Sequence, residues 1–304
     1  MISGFDTALS EVTLVLFTTF APSGAVALVL VAAVLLFPKL ESTMRARIST
    51  FMCIPLVVTM VGLVASATHL GNPANALYVF LHVGSSPLSN EVVSAVGLLA
   101  CSGLYWLYSF SVKPLVWLQR LLMMIAATGI MFVAMVSLAY SVDTIVTWSL
   151  PTVPISLWLN ALMGGPLLAV ITLYAAQWRA LAGRFGLLLM AVPFVALAAN
   201  AIAYIVQGRL LGGVANSVVA AADLVPHYHT MLLAFALMCF AGCVLAAFTM
   251  HTVSREAVAH GGGELALPKR VLVRLLVACL LVFAGIFVMR FAFYMMHLTV
   301  GLAV

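Results

Sequence analysis

Long apolar runs, each ended by a break that carries glycine, proline or a basic residue, recur from end to end of the sequence. Runs of about 18 or more such residues are long enough to cross a bilayer as a helix. The pattern predicts eight spans, at residues 8–37, 48–69, 91–111, 116–140, 155–176, 185–207, 228–251 and 271–302. Ala21-Pro22-Ser23-Gly24 falls inside the first and predicts a kink there. Gly71 and Pro73 stop the second just after His69. Glu91 opens the third, in its first turn, behind Pro87-Leu88-Ser89-Asn90. The expected architecture is all-α: one membrane domain over residues 1–304, built as a bundle of eight transmembrane helices.

Composition excludes a soluble protein, because 65% of residues are hydrophobic and only 7% are charged. The net charge of +5 does not point to nucleic acid, since the basic residues are scattered in short loops and form no stripe. Their placement instead sets the orientation. Lys39, Arg45 and Arg47 follow the first span, Lys113 and Arg120 the third, Arg179 and Arg184 the fifth, and Arg255, Lys269, Arg270 and Arg274 the seventh. The opposite side has only Arg209. The positive-inside rule puts those four connections in the cytoplasm and both termini on the outer side. The start, MISGFDTALSE, holds Asp6 and Glu11 and no basic residue, unlike a cleavable signal, so the first span is expected to remain. The connections richest in special residues then lie outside, and any aqueous chemistry falls to a partner.

The stretch from Ser66 to Gly97 joins the second and third spans, lacks Lys and Arg, and holds His69 and Glu91. It reads as one wall of a site for a lipid-soluble redox molecule. An imidazole at a helix end can hydrogen-bond a quinone carbonyl and take a proton near neutral pH. It can equally bond a backbone carbonyl. Glu91 can be a proton acceptor at the membrane edge or a carboxylate satisfied by the helix N-terminus. Arg290 is the only basic residue well inside a span, and Tyr294 and His297 follow it at helical spacing as one polar stripe. A buried guanidinium needs a polar ligand or an ion-pair partner, here Asp143 or Glu91. Asp143 and Asp223 otherwise read as loop caps. Tyr140, Trp148 and Tyr228, at segment edges, suit an interfacial belt.

Other chemistries fit less of the sequence. The five cysteines, Cys53, Cys101, Cys239, Cys243 and Cys279, all lie in apolar segments without cluster spacing, so no iron–sulfur cluster is expected on this protein. His69 and His297 could hold one outer haem, but the inner half offers only His251 in a helix and His260 in a loop. A secondary transporter should show paired broken helices, and the Pro22 break has no counterpart in the second half. A purely structural anchor is also open at this point.

HLGNP (69–73), GSSPLSNE (84–91), SVDTIVTW (141–148), MGGPL (163–167), LVPHY (224–228) and RFAFYMMHLTVG (290–301) occur in an informative order. In sequence and spacing they resemble the dimethyl sulfoxide reductase anchor subunit family, over nearly the whole length. That resemblance implies a haem-free, multi-pass protein of the bacterial cytoplasmic membrane that oxidises menaquinol. Electrons would pass to a four-cluster iron–sulfur subunit and then to a molybdopterin catalytic subunit, in a heterotrimer. It also implies that His69 and Glu91 belong to the quinol site. The connection between them carries Asn75 and His82 where relatives often have arginines, and Ile286 stands where some relatives have an acid.

Overall fold

The computed structural model describes residues 4–69, 73–111, 117–216, 218–259 and 268–299. Lys113, His260, the Leu70–Asn72 part of the HLGNP motif and the end of the last expected span, residues 300–302, lie outside them. Among the described residues the protein is helical: α1 (Gly4–Ser10), α2 (Val12–Leu35), α3 (Ser42–Phe51), α4 (Cys53–Thr68), α5 (Pro87–Tyr108), α6 (Trp117–Ala139), α7 (Thr152–Ala175), α8 (Arg184–Leu211), α9 (Ala221–Leu224), α10 (Tyr228–Ala259) and α11 (Lys269–Met295). Short 3-10 helices occupy Pro73–His82 and Arg179–Ala182. Eight helical segments are long and apolar enough to cross a membrane, with α3 and α4 running together as Ser42–Thr68.

Two helices form the centre. The apolar windows of α2 and α7 are 72% and 78% buried, against 28–44% for the other six spans. α2 packs on α7, α4, α6 and α11; α8 joins α7 to α10, and α10 pairs with α11. α1 lies against the end of α11, with the Phe5 and Phe291 rings 5.3 Å apart, so the two ends of the described structure meet at one end of the bundle.

No interruption of the helix falls at Pro22. α2 is continuous through that proline, and the break comes instead at Glu11, between α1 and α2. The small residues around Pro22 serve close packing. A Cβ on Gly62 of α4 would lie 2.7 Å from the Ala21 nitrogen, and one on Gly164 of α7 would lie 2.5 Å from Ser23 Oγ. Ser23 donates to the Thr19 carbonyl at 3.0 Å, which satisfies its hydroxyl inside the crossing.

Other boundaries move too. α5 begins at Pro87, not Glu91, because Ser86 caps it by accepting the Ser89 N–H at 3.4 Å. Glu91 is therefore in the second turn, away from the free N–H groups that the first-turn reading required. α11 ends at Met295, so His297 is not part of a helical stripe with Arg290 and Tyr294. The segment after α6 clamps that end: Val146 N–H donates to the Leu298 carbonyl at 3.1 Å, and Thr147 Oγ1 donates to the Met296 carbonyl. Tyr140 and Tyr228 are buried and do not form a lipid-facing belt, and the Tyr228 hydroxyl donates to the Tyr204 carbonyl at 2.8 Å.

Candidate functional site

A cavity of about 600 Å³ opens between α2, α4 and α5, at the end of the bundle where α4 finishes and α5 begins. Its walls are mainly aliphatic, from Leu14, Leu63, Val92, Ala95 and Leu99. Three polar side chains with proton chemistry enter it: His69, Glu91 and Tyr140. Leu88 and Val96, which also line it, are 58% and 50% exposed, so the mouth is flanked by apolar surface of the kind that acyl chains cover.

His69 and Tyr140 are placed by helix ends, and Glu91 by the second turn of α5. His69 is the C-cap of α4, with its N–H on the Ser66 carbonyl at 3.0 Å. Its Nδ1 lies 3.2 Å from a carboxylate oxygen of Glu11, the residue at the break between α1 and α2. The partner of this imidazole is thus an acid. Glu91 is 5% exposed, and its Oε2 has no hydrogen-bond partner among the described residues. Tyr140 follows the last turn of α6. Burial, then the neighbouring Tyr294 and Glu91, hold its phenol well above the usual tyrosine range, against a smaller opposing pull from Arg290.

Behind Tyr140 sits Arg290, only 1% exposed. Its Nε donates to Thr18 Oγ1 at 2.9 Å, and Thr18 in turn donates to the Leu14 carbonyl at 2.9 Å. The guanidinium lies 4.0 Å from the Phe293 ring centre, 5.6 Å from that of Tyr294 and 5.7 Å from that of Tyr140. Among the described residues no carboxylate pairs with it, so the expected ion pair with Asp143 or Glu91 is replaced by an aromatic cage. Arg290 Nη2 and the Tyr294 hydroxyl are buried together in this cage.

A family model described as "DMSO reductase anchor subunit (DmsC)" matches residues 5–296. The protein belongs to this family. It is similar to the C subunit of the anaerobic dimethyl sulfoxide reductase of Escherichia coli (strain K12), 32% identical over 293 residues that cover 96% of each sequence. It is also similar to the YnfH subunit of an anaerobic dimethyl sulfoxide reductase of the same strain, 30% identical over 294 residues, again 96% of each sequence. The C subunit of the Haemophilus influenzae enzyme is 32% identical over 229 residues, 74% of this sequence and 80% of the relative.

In this DmsC-family protein the structure gathers some of the expected site residues and separates others. His69 and Glu91 share the cavity. Arg290 and Tyr294 stand one ring behind it, in contact with Tyr140. His297 is exposed and packs on Trp148, at 5.2 Å between rings. Asp143 and Asp223 are exposed and line no part of the cavity. Two groups escape a reading of the sequence as site residues, Glu11 and Tyr140. The signal for Glu11 is its place at the start of the first span, on the same side of the membrane as His69. Tyr140 carries no signal beyond its position at a span end.

Proposed function

We propose that the cavity binds menaquinol and that this protein oxidises it as the membrane anchor of a dimethyl sulfoxide reductase-type complex. Oxidation releases two electrons and two protons from the quinol hydroxyls and leaves the quinone. His69 takes one proton at Nε2, with Glu11 holding the other ring nitrogen as the donor. Glu91 takes the second. Tyr140, held protonated, donates a hydrogen bond to the ring oxygen as it becomes a carbonyl. The aliphatic walls take the apolar ring, and the volume lies in the range of about 300–1,000 Å³ usual for such ligands. Electrons leave to a four-cluster iron–sulfur subunit and then to a molybdopterin catalytic subunit, which supply the redox chemistry that this protein's side chains do not. The loops rich in Lys and Arg face the cytoplasm of a bacterial inner membrane, so the quinol site and both termini face outward.

The observation that carries this reading is Glu91. It is a buried carboxyl group with an unpartnered oxygen, in an apolar cavity that His69 also lines. A polar atom buried without a partner costs roughly 1–3 kcal/mol or more, a cost that a hydrogen bond from a bound quinol hydroxyl would offset. The test is quinol-analogue oxidation by the purified complex, wild type against His69→Arg, together with a reduced-minus-oxidised spectrum. Loss of oxidation without haem bands supports the proposal. Unchanged oxidation overturns it, and haem bands would make His69 an iron ligand.

A further inference from the structure

The opposite end of the bundle carries a second built cavity, of about 550 Å³, where α2 turns into α3 and α7 ends. Lys39, Arg47 and Arg179 line it, with Glu41 as the one acid. These cations do not serve the helix ends around them. At the end of α2, Arg45 donates to the carbonyl of Leu35 and to that of Phe37 just beyond it. The end of α7 is closed by its own backbone: Gln177 N–H donates to the Tyr174 carbonyl at 2.9 Å, and Trp178 N–H to the Leu173 carbonyl at 3.0 Å. Lys39 and Arg179 have no hydrogen bond or ion pair to another described residue.

The wall between them is held in a costly conformation. Gln177 has φ 61°, the left-handed region where glycine is usual, and its Oε1 accepts from Arg47 Nη1 at 2.9 Å. Arg47, so held, lines the first cavity, and Trp178, next after Gln177, lines it too. A second, apolar cavity of about 350 Å³ adjoins the first, lined by Phe37 and Pro38 and sharing Lys39, Leu40 and Trp178. A cationic pocket continuous with an apolar groove, with a tryptophan at the join, matches a lipid at the membrane boundary.

We infer that this pair of cavities binds one anionic glycerophospholipid. Lys39, Arg47 and Arg179 hold its phosphate, Glu41 accepts from a headgroup hydroxyl, and an acyl tail lies along Phe37 and Trp178. This site lies at the far end of the bundle from the His69 cavity and does not rest on the quinol reading. The test is thermal melting of the full-length protein in detergent, titrated with phosphatidylglycerol, phosphatidylcholine or inorganic phosphate. Phosphatidylglycerol alone is expected to raise the melting temperature saturably. Lys39→Gln/Arg179→Gln, which leaves Arg45 and Arg47 in place, is expected to need about tenfold more of it for the same rise. An equal response of wild type and variant overturns the inference, and so does an equal effect of inorganic phosphate, which would make this a free-anion site. Should the double variant not fold, native mass spectrometry of the wild type decides. Retention of phosphatidylglycerol over phosphatidylcholine supports the site, and equal retention overturns it.

Discussion

Glu11 and His69 face each other at 3.2 Å, one at the break between α1 and α2 and the other capping α4. The carboxylate lies on the Nδ1 side of the ring, and His69 itself lines the cavity. Glu11→Gln keeps the shape and removes the carboxylate that His69 Nδ1 faces. Quinol-analogue turnover by the complex is expected to fall about tenfold, in kcat more than in KM, because the loss is felt as the proton moves. An unchanged kcat would mean that the pair only ties α1 to α4.

Glu91 separates function from stability. Its Oε2 has no partner to lose among the described residues, and the α5 cap belongs to Ser86. Glu91→Gln is therefore expected to leave the melting temperature nearly unchanged, since the amide has the same shape and breaks no hydrogen bond of Oε2. Turnover should fall roughly 10²–10⁴-fold, the usual contribution of a proton acceptor. A large loss of stability with little loss of turnover would assign the residue to the frame.

Arg290 lies against three rings and one hydroxyl with no carboxylate among the described residues. Breaking a buried ion pair by removing one partner costs about 3–5 kcal/mol, whereas an apolar side chain of similar length in an aromatic cage costs little. Arg290→Met is thus expected to stay within about 1 kcal/mol of wild type. Arg290→Ala, which leaves a void among Phe293, Tyr294 and Tyr140, should lose about 3 kcal/mol. Denaturant or thermal unfolding in detergent compares them, and equal losses would point to a charged partner for the guanidinium.

The spans are legible in the sequence because a bilayer demands some twenty apolar residues per helix, a constraint written locally. His69 and Glu91 are legible for a related reason: ionisable side chains at span ends stand out against an apolar background. Their partners are not. Glu11 meets His69 only through the packing of α2 on α4, and Tyr140 enters the cavity only because the clamp after α6 draws that segment onto α11. The stripe through His297 fails for a local reason, since helical spacing continues on paper past Met295 while the hydrogen-bonded helix stops there. Pro22 misleads similarly, as a proline reads as a break until its neighbours show what they pack against.

That last point has its own test. If the Ala21–Gly24 segment exists for close helix crossing, not for bending, then the proline is dispensable and the small residues facing it are not. Pro22→Ala is expected to change stability by less than about 1 kcal/mol, because α2 already continues through the site. Gly164→Leu should be strongly destabilising. Its Cβ alone would sit 2.5 Å from Ser23 Oγ and 2.8 Å from Ser23 Cβ, at the contact between the two most buried helices. Overpacking of this kind costs about 1–3 kcal/mol or more, because α2 and α7 must separate along their length. Since α2 carries Leu14 on the wall and Thr18 beside Arg290, that separation should also lower quinol-analogue turnover. The reverse ranking in thermal unfolding, with Pro22→Ala the more damaging, would restore the proline as a shape-determining break.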